Sequence, residues 1–392
     1  MTLTDYFVDL HIHIGGTPTG KPVKITASKN LTLTNILAEA ANRKGLDMIG
    51  IIDAHVPEVQ LELENLIKLG KAKPLPNGGI AYQRVTLILG SEIELYDEHC
   101  KGPIHVLCYF PDLLTMRVFS EWYAERVKNV TLSSQRIYVN AQVLQQKVKE
   151  LGGLFIPAHI FTPFKSLYGK GVSKSLTEVF EPKLVDAVEL GLSSDTSMAE
   201  QIEELAPYTF LTNSDAHSLK KIAREYQQIR MKEPTYRELQ LALQETEGRK
   251  VVANYGMNPQ LGKYYRTVCA QCFEQRDSRA KRCEQCGFTQ IVKGVSERIQ
   301  EISIQTERPK RTRPPYIHHA PMEYLPSLGP KTYERLLSNL GTEMYILHEA
   351  SKEELINASN EKIANLILKM REGTLSFQAG GGGKYGKVDH FK

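Results

Sequence analysis

An apolar run that closes on a histidine or a carboxylate recurs six times between Tyr6 and His217, and this recurrence limits the folds open to the chain more than any single motif. The first run, Tyr6-Phe7-Val8-Asp9-Leu10-His11-Ile12-His13, sets three potential ligands at alternate positions. Side chains two apart in a strand share a face, so Asp9, His11 and His13 can converge on one point. The pattern returns at Met48 to His55 with Asp53 and His55, at Leu87 to Glu92, at Ile104 to Leu107 with His105, at Leu154 to His159, and at Phe210 to His217 with Asp215. One histidine at one strand end is ordinarily a hydrogen-bonded structural residue. Histidines and carboxylates arriving from six strand ends would leave polar groups unpaired or like charges unrelieved without a metal to gather them.

Between the runs the chain has a β-loop-α-β rhythm. Seven strands are expected: the first run, 48–53, 85–90, 104–110, 154–158, 184–190 and 208–213. Helices are expected over 31–45, capped by Thr32 or Thr34 and ended by Gly45, and near 117–129, 135–151, 198–206 and 234–248. Tyr255 to Pro259 reads as the exit from this domain. The near-continuous apolar character of the strands predicts a parallel sheet buried on both faces. Ligands from six strands favour an α/β barrel with its site at the strand C-terminal rim over an open sheet with one switch point.

The 392 residues suffice for one large core and small appended domains. The net charge of +4 announces no partner, but Lys263 to Arg313 carries 12 basic against 6 acidic residues. Within that segment, Cys269-Ala270-Gln271-Cys272 and Cys283-Glu284-Gln285-Cys286 have the spacing of a four-cysteine zinc ribbon. A unit so small needs the ion's binding energy to fold. Lys263, Arg266, Arg276, Arg279, Lys281 and Arg282, with Tyr264, Tyr265 and Phe273, suggest a phosphate-contacting surface with aromatic platforms. Pro309 to Pro315 is a stiff basic linker with Arg311 and Arg313, and His318 and His319 beyond it are read as structural. Leu325 to Leu337 has the turn-then-helix pattern in which the backbone at Gly329, beside Lys331, binds an anion at a helix N-terminus. A second helical pair is expected over 343–372, before a Gly-rich basic tail from Gly380 to Lys387. The expected domains are 1–260, 261–306, the linker 307–320, and 321–392. No run approaches the ~18 apolar residues that span a bilayer, and no leader precedes the first strand, so a soluble cytoplasmic, nucleoid-associated monomer is expected.

Over roughly the first 255 residues the ordered ligand set resembles the polymerase-and-histidinol-phosphatase (PHP) metal-dependent phosphoesterases. That resemblance implies a distorted seven-stranded barrel with two or three divalent ions in a rim cleft. By the family pattern His11, His13, Glu92 and Asp215 hold the first ion, and Glu92, His105 and His159 the second, with Glu92 shared. His55 and His217 are left for a third. The chain departs from the pattern in having Asp53-Ala54-His55 in place of an Asp-His doublet. Asp9 and Asp53 are expected to orient ligand histidines through the second ring nitrogen. The donors suit zinc, manganese or iron, with magnesium also open. Two ions about 3.5 to 4 Å apart would activate water and stabilise both oxygens of an in-line phosphoryl displacement.

A phosphoesterase barrel, a zinc ribbon and an all-α, helix-hairpin-helix-like tail, in that order, resemble the endonuclease Q family of DNA-repair nucleases over nearly the whole chain. This implies nicking of DNA 5′ to uracil, hypoxanthine, xanthine or an abasic site, leaving a 3′-hydroxyl and a 5′-phosphate, with Asp215, Glu92 and His13 nearest the chemistry. Two other readings stand beside it: a phosphatase of small monoesters, and a DNA-binding scaffold whose barrel has lost its chemistry.

Overall fold

The computed structural model describes residues 2–262, 264–277, 280–303, 311–378 and 387–388. Lys263, Arg279, Pro309, Lys310 and the tail from Gly380 to Gly386 lie outside the described residues.

The seven expected strands all form: β1 (Thr4–Ile12), β2 (Met48–Ile51), β3 (Val85–Leu95), β4 (Ile104–Phe110), β5 (Leu154–Pro157), β6 (Ala187–Glu189) and β7 (Thr209–Leu211). Val8, Leu10, Met48, Ile88, Leu107, Ile156, Ala187 and Leu211 share one buried apolar cluster drawn from all seven. The strands must therefore curl around a common interior. Each fully buried Leu or Ile there contributes about 1.5–3 kcal/mol. From β5 the chain of contacts passes to β6 through Asp186 N to Phe155 O (3.0 Å). From β7 it returns to β1 through Leu10 N to Asn213 Oδ1 (2.8 Å) and a parallel bridge between Ile12 and Ala216.

The all-parallel expectation fails. β1, β2 and β3 pair in parallel, as do β6 and β7, but β3–β4 and β4–β5 are antiparallel. An apolar run marks burial on both faces, whichever way its neighbour runs. β8 (Tyr226–Met231) and β9 (Lys250–Met257) extend the sheet antiparallel from β1, so Tyr255 to Met257 belong to a strand and do not form an exit. A hairpin of Lys73–Pro74 and Ile80–Tyr82 adds to β3.

Helix α1 (Leu33–Glu39) starts where Thr32 accepts from Asn35 N, and it continues as a π-turn that Gly45 ends at φ 79°. Helices α2 (Pro57–Lys68), α3 (Leu113–Ala124) and α4 (Ala141–Glu150) join α1 beside these strands; the first of these was not expected. Thr196–Ala199, which begins ahead of 198–206, and Glu203–Leu205, within it, are single turns, and α5 (Tyr236–Leu243) lies within 234–248.

The ribbon is a pair of two-residue strands, β10 (Val268–Cys269) and β11 (Ile291–Val292), followed by α6 (Val295–Ile302). Arg298 of α6 anchors it by donating to the carbonyls of Tyr168, Val172 and Ser173. The chain returns as β12 (Tyr316–His319), parallel to β9. Four helices follow: α7 (Pro330–Leu340), α8 (Glu343–His348), α9 (Lys352–Ala358) and α10 (Glu361–Arg371). The stretch 343–372 thus holds three helices, not a pair. They dock on the N-terminal segments through a buried Lys44–Glu343 ion pair (2.7 Å) and through His348, whose ring lies 4.5 Å from that of Phe7.

Candidate metal centre

The ends of β1, β3, β4, β5 and β7 bring the expected ligands together. His11 Nε2 lies 3.6 Å from Glu92 Oε1 and 3.4 Å from Asp215 Oδ1. His13 Nε2 lies 3.6 Å from Glu92 Oε2 and 3.4 Å from the same Asp215 oxygen. For an ion bound at about 2.1 Å, tetrahedral corners stand about 3.4 Å apart, close to each of these separations; His11, His13 and Glu92 form one potential metal group, which Asp215 adjoins through both histidines. Both Nε2 atoms are buried without a hydrogen-bond partner among the described residues. Glu92, His105 and His159 form a second group, with His105 Nδ1 2.8 Å and His159 Nε2 3.4 Å from Glu92 Oε1. Glu92 is common to both groups. A third group joins His13, Asp215 and His217.

The field of the site favours positive charge. Burial opposes ionisation of Glu92, yet His105, Lys24 and His159 hold its carboxyl well below the usual range. Asp215 behaves alike, with burial outweighed by His11, His13 and His217. Burial alone would lower His11, but Glu189, Asp215 and Glu92 raise it to about 10. The same carboxylates would stabilise a divalent ion in place of that proton.

Of the two expected orienting carboxylates, one fits. Asp53 Oδ2 meets His13 Nδ1 at 3.1 Å. Asp9 does not touch a ligand ring. It accepts from Ser214 N (3.1 Å) and Ala223 N (3.0 Å), and so pins the loop that carries Asp215. The orienting role for His11 belongs to Glu189, whose oxygens lie 3.0 and 3.1 Å from His11 Nδ1. The three-residue strand β6 delivers it. Ser133 Oγ, 3.1 Å from His13 Nδ1, and Lys24 Nζ, 3.2 Å from Glu92 Oε2, come from loops with no ligand signature.

His55 stands apart from these groups. Its Nδ1 faces Ser91 Oγ at 2.9 Å and its Nε2 faces Leu132 O at 3.3 Å, so both nitrogens are spent, and burial keeps the ring neutral. The third group therefore has His217 without His55.

In the ribbon, Cys269 Sγ and Cys286 Sγ are 3.6 Å apart, as are Cys272 Sγ and Cys283 Sγ. Tetrahedral corners at a zinc–sulfur distance of about 2.3 Å would be about 3.8 Å apart, so the four sulfurs fit zinc. Hydrogen bonds from the Cys272 and Gln271 backbone pull the Cys269 thiol down to about 6, toward the thiolate a metal needs.

The basic residues expected to meet DNA divide in two. Lys281, Arg282, Gly329 and Lys331 are exposed. Arg276 is buried and donates to the carbonyls of Phe288 and Thr289. Arg313 lies 3.7 Å over the Phe210 ring and donates to Leu205 and Ala206, and Arg311 donates to Ala206 and Pro207. These three arginines serve the fold, because each finds carbonyls left over at turns. Gly329 is the N-cap of α7, and no side chain caps that helix. Ser327, two residues earlier, takes the left-handed backbone at φ 69° that glycine would favour.

No family model matches the chain. It is 54% identical over 382 residues to the uncharacterized protein YqxK of Bacillus subtilis, covering 97% of this chain and 98% of that protein. It is 34% identical over 298 residues to the uncharacterized protein MJ0043 of Methanocaldococcus jannaschii, covering 70% of this chain and 35% of that protein. Among solved structures, the lesion-specific endonuclease Q of Pyrococcus furiosus matches with a TM-score of 0.83 and 31% identity over 98% of this chain and 95% of that one. An endonuclease Q complex with a 27-mer duplex bearing an abasic lesion at its active site matches with a TM-score of 0.83 and 30% identity, over 98% and 96%.

Proposed function

The chain belongs to the endonuclease Q family, and from that premise we propose that it is a metal-dependent DNA-repair endonuclease that nicks the phosphodiester 5′ to uracil, hypoxanthine, xanthine or an abasic site. The observation that carries this reading is the convergence of His11, His13 and Glu92, with Asp215 3.4 Å from both histidines and Glu92 shared with His105 and His159. We read the curled seven strands as the distorted barrel of the PHP phosphoesterases.

The first ion is assigned to His11, His13, Glu92 and Asp215, and the second to Glu92, His105 and His159. His217 is available to a third, beside His13 and Asp215. When bound, divalent ions supply Lewis acidity: water deprotonates near neutral pH, and the negative charge growing on the phosphoryl oxygens is offset. The chain's own residues prepare that chemistry. Glu189 and Asp53 fix the His11 and His13 tautomers through Nδ1, so that Nε2 of each is the free donor. Asp9 and Arg224, the latter donating to Ser214 O (2.6 Å) and Asp215 O (3.1 Å), set the loop from which Asp215 projects. Lys281 and Arg282 of the ribbon, and the N-terminus of α7 at Gly329 with Lys331, are assigned to the DNA backbone, where phosphate contacts set register and affinity.

The test is an incubation of the full chain with an end-labelled duplex carrying one deoxyinosine, in Mn²⁺, Mg²⁺ or Zn²⁺ and with a chelator. The expected result is a single metal-dependent nick on the 5′ side of the lesion. Release of inorganic phosphate from small monoesters with no nick in any metal would give the site to a phosphatase instead.

A further inference from the structure

The cleft contains a cation that the ligand set does not use. Lys24 lies on the loop after β1, where Lys24 N donates to Ile14 O (2.9 Å) and Val23 N to Gly15 O (3.1 Å). Its Nζ is 3.2 Å from Glu92 Oε2 and 2.6 Å from Ser134 Oγ, and its side chain is only 16% exposed. Ser134 is buried, holds left-handed backbone at φ 52°, and donates its own hydroxyl to Glu92. Ser133 N donates to Val23 O (3.0 Å), which locks the two loops to each other. The ammonium is thus built into the site.

A buried ammonium requires anionic compensation. Here its partner is Glu92, the carboxylate that both histidine groups share, so divalent ions and Lys24 draw on the same negative charge. Once ions take that charge, Lys24 needs another anion within reach inside the cleft. A phosphodiester brings one negative charge on two non-bridging oxygens to that place.

Resting on the phosphodiester-cleaving reading above, we propose that Lys24 is a catalytic residue of the cleft: its ammonium contacts a non-bridging oxygen of the scissile phosphate and stabilises the charge that grows there, while in the absence of substrate it weakens ion binding. In the reaction a water oxygen forms the new bond to phosphorus, the P–O3′ bond breaks, and the proton lost by water ends on O3′. Lys24 stays protonated throughout and acts by charge.

The two halves of this inference move in opposite directions in one variant. Lys24→Met, in the full chain with its ribbon zinc retained, should bind Mn²⁺ in the cleft about tenfold more tightly by calorimetric titration without DNA, because a competing cation is gone. The same variant should lose about 100-fold in kcat on bis-p-nitrophenyl phosphate, with KM changed only a few-fold. Lys24→Arg, which keeps the charge, should retain wild-type Mn²⁺ affinity. Equal or weaker Mn²⁺ binding by Lys24→Met, or a kcat within threefold of wild type, overturns the assignment. If Lys24→Met does not fold, Lys24→Gln is held to the same two readouts. A wild-type enzyme that hydrolyses the generic diester but ignores lesion duplex would remove the repair reading and leave Lys24 to be judged on the diester. If it hydrolyses neither, the titration alone decides.

Discussion

Asp215 and His159 present their ligand atoms from left-handed backbone, at φ 46° and 31°, which residues with a Cβ seldom adopt. Such conformations cost on the order of 1–3 kcal/mol and persist only where the surroundings fix them. Asp9 and Arg224 do this for Asp215, and Gly191, whose own φ is 80°, packs against His159. The residues that converge on the cleft were legible in the sequence because each accompanies an apolar run. The outer carboxylates were not, because whether Asp9 or Glu189 reaches the His11 ring depends on which loop lies behind β1. His55 carries the same signature as the converging residues; only the positions of Ser91 and the Leu132 carbonyl, from distant segments, set it apart. Two substitutions should separate these roles. Asp215→Asn should abolish nicking while duplex affinity stays within a few-fold, since the ligand serves the transition state more than binding. His55→Asn should leave the cleft's metal content unchanged and instead lower stability by about 1–3 kcal/mol, the cost of disturbed buried hydrogen bonds. Loss of cleft metal in His55→Asn, measured by elemental analysis, would return His55 to the ligand set.

Among elements, the seven barrel strands were readable as apolar runs, but their directions were not read from the connections. β3 ends at Leu95 and β4 begins at Ile104, a connection too short for the crossover that parallel neighbours require. β8 and β9 escaped notice because they are partly polar and carry no ligand. Their edge is where the C-terminal helices dock, and that docking is pH-sensitive. Tyr226 Oη and His348 Nε2 are hydrogen-bonded at 2.8 Å. Burial, with help from His319 and Arg371, lowers His348 to about 3, and burial with His318 lowers His319 to about 4. An undocked histidine titrates near 6.5. Protons therefore favour the undocked state: this part of the stability is complete above about pH 6.5 and is lost as pH falls toward 4. Hydrogen exchange of α7–α10 should accelerate from pH 7.5 to pH 5 beyond the intrinsic pH effect, and His348→Phe should flatten the change. Identical pH dependence in the two proteins would show that the histidine does not govern docking.

At the scale of the whole molecule, the order of barrel, four-cysteine unit and helical tail was legible because each has its own signature. How they fit together was not: Arg311 and Arg313 read as DNA ligands and Arg298 carried no signature, yet each ties a later segment to carbonyls of earlier ones. No helix among the described residues is long and apolar enough to cross a membrane. If the ribbon and α7 hold the duplex by its phosphates while the cleft takes an extruded base, affinity and selectivity rest on different contacts. Affinity for undamaged duplex should fall steeply with salt, by roughly a decade or more between 50 and 200 mM for each few phosphates neutralised. Selectivity should survive, because it depends on pocket contacts and on the lower cost of extruding a poorly paired nucleotide. The measurement that bears most directly on the account is therefore a pair of nicking-rate series across that salt range, one on a duplex with a single deoxyinosine and one on its undamaged parent. The account predicts rates that fall with salt on both, with the lesion preferred at every point by a nearly constant ratio; equal rates on the two duplexes throughout would contradict it and leave a nonspecific metal-dependent nuclease.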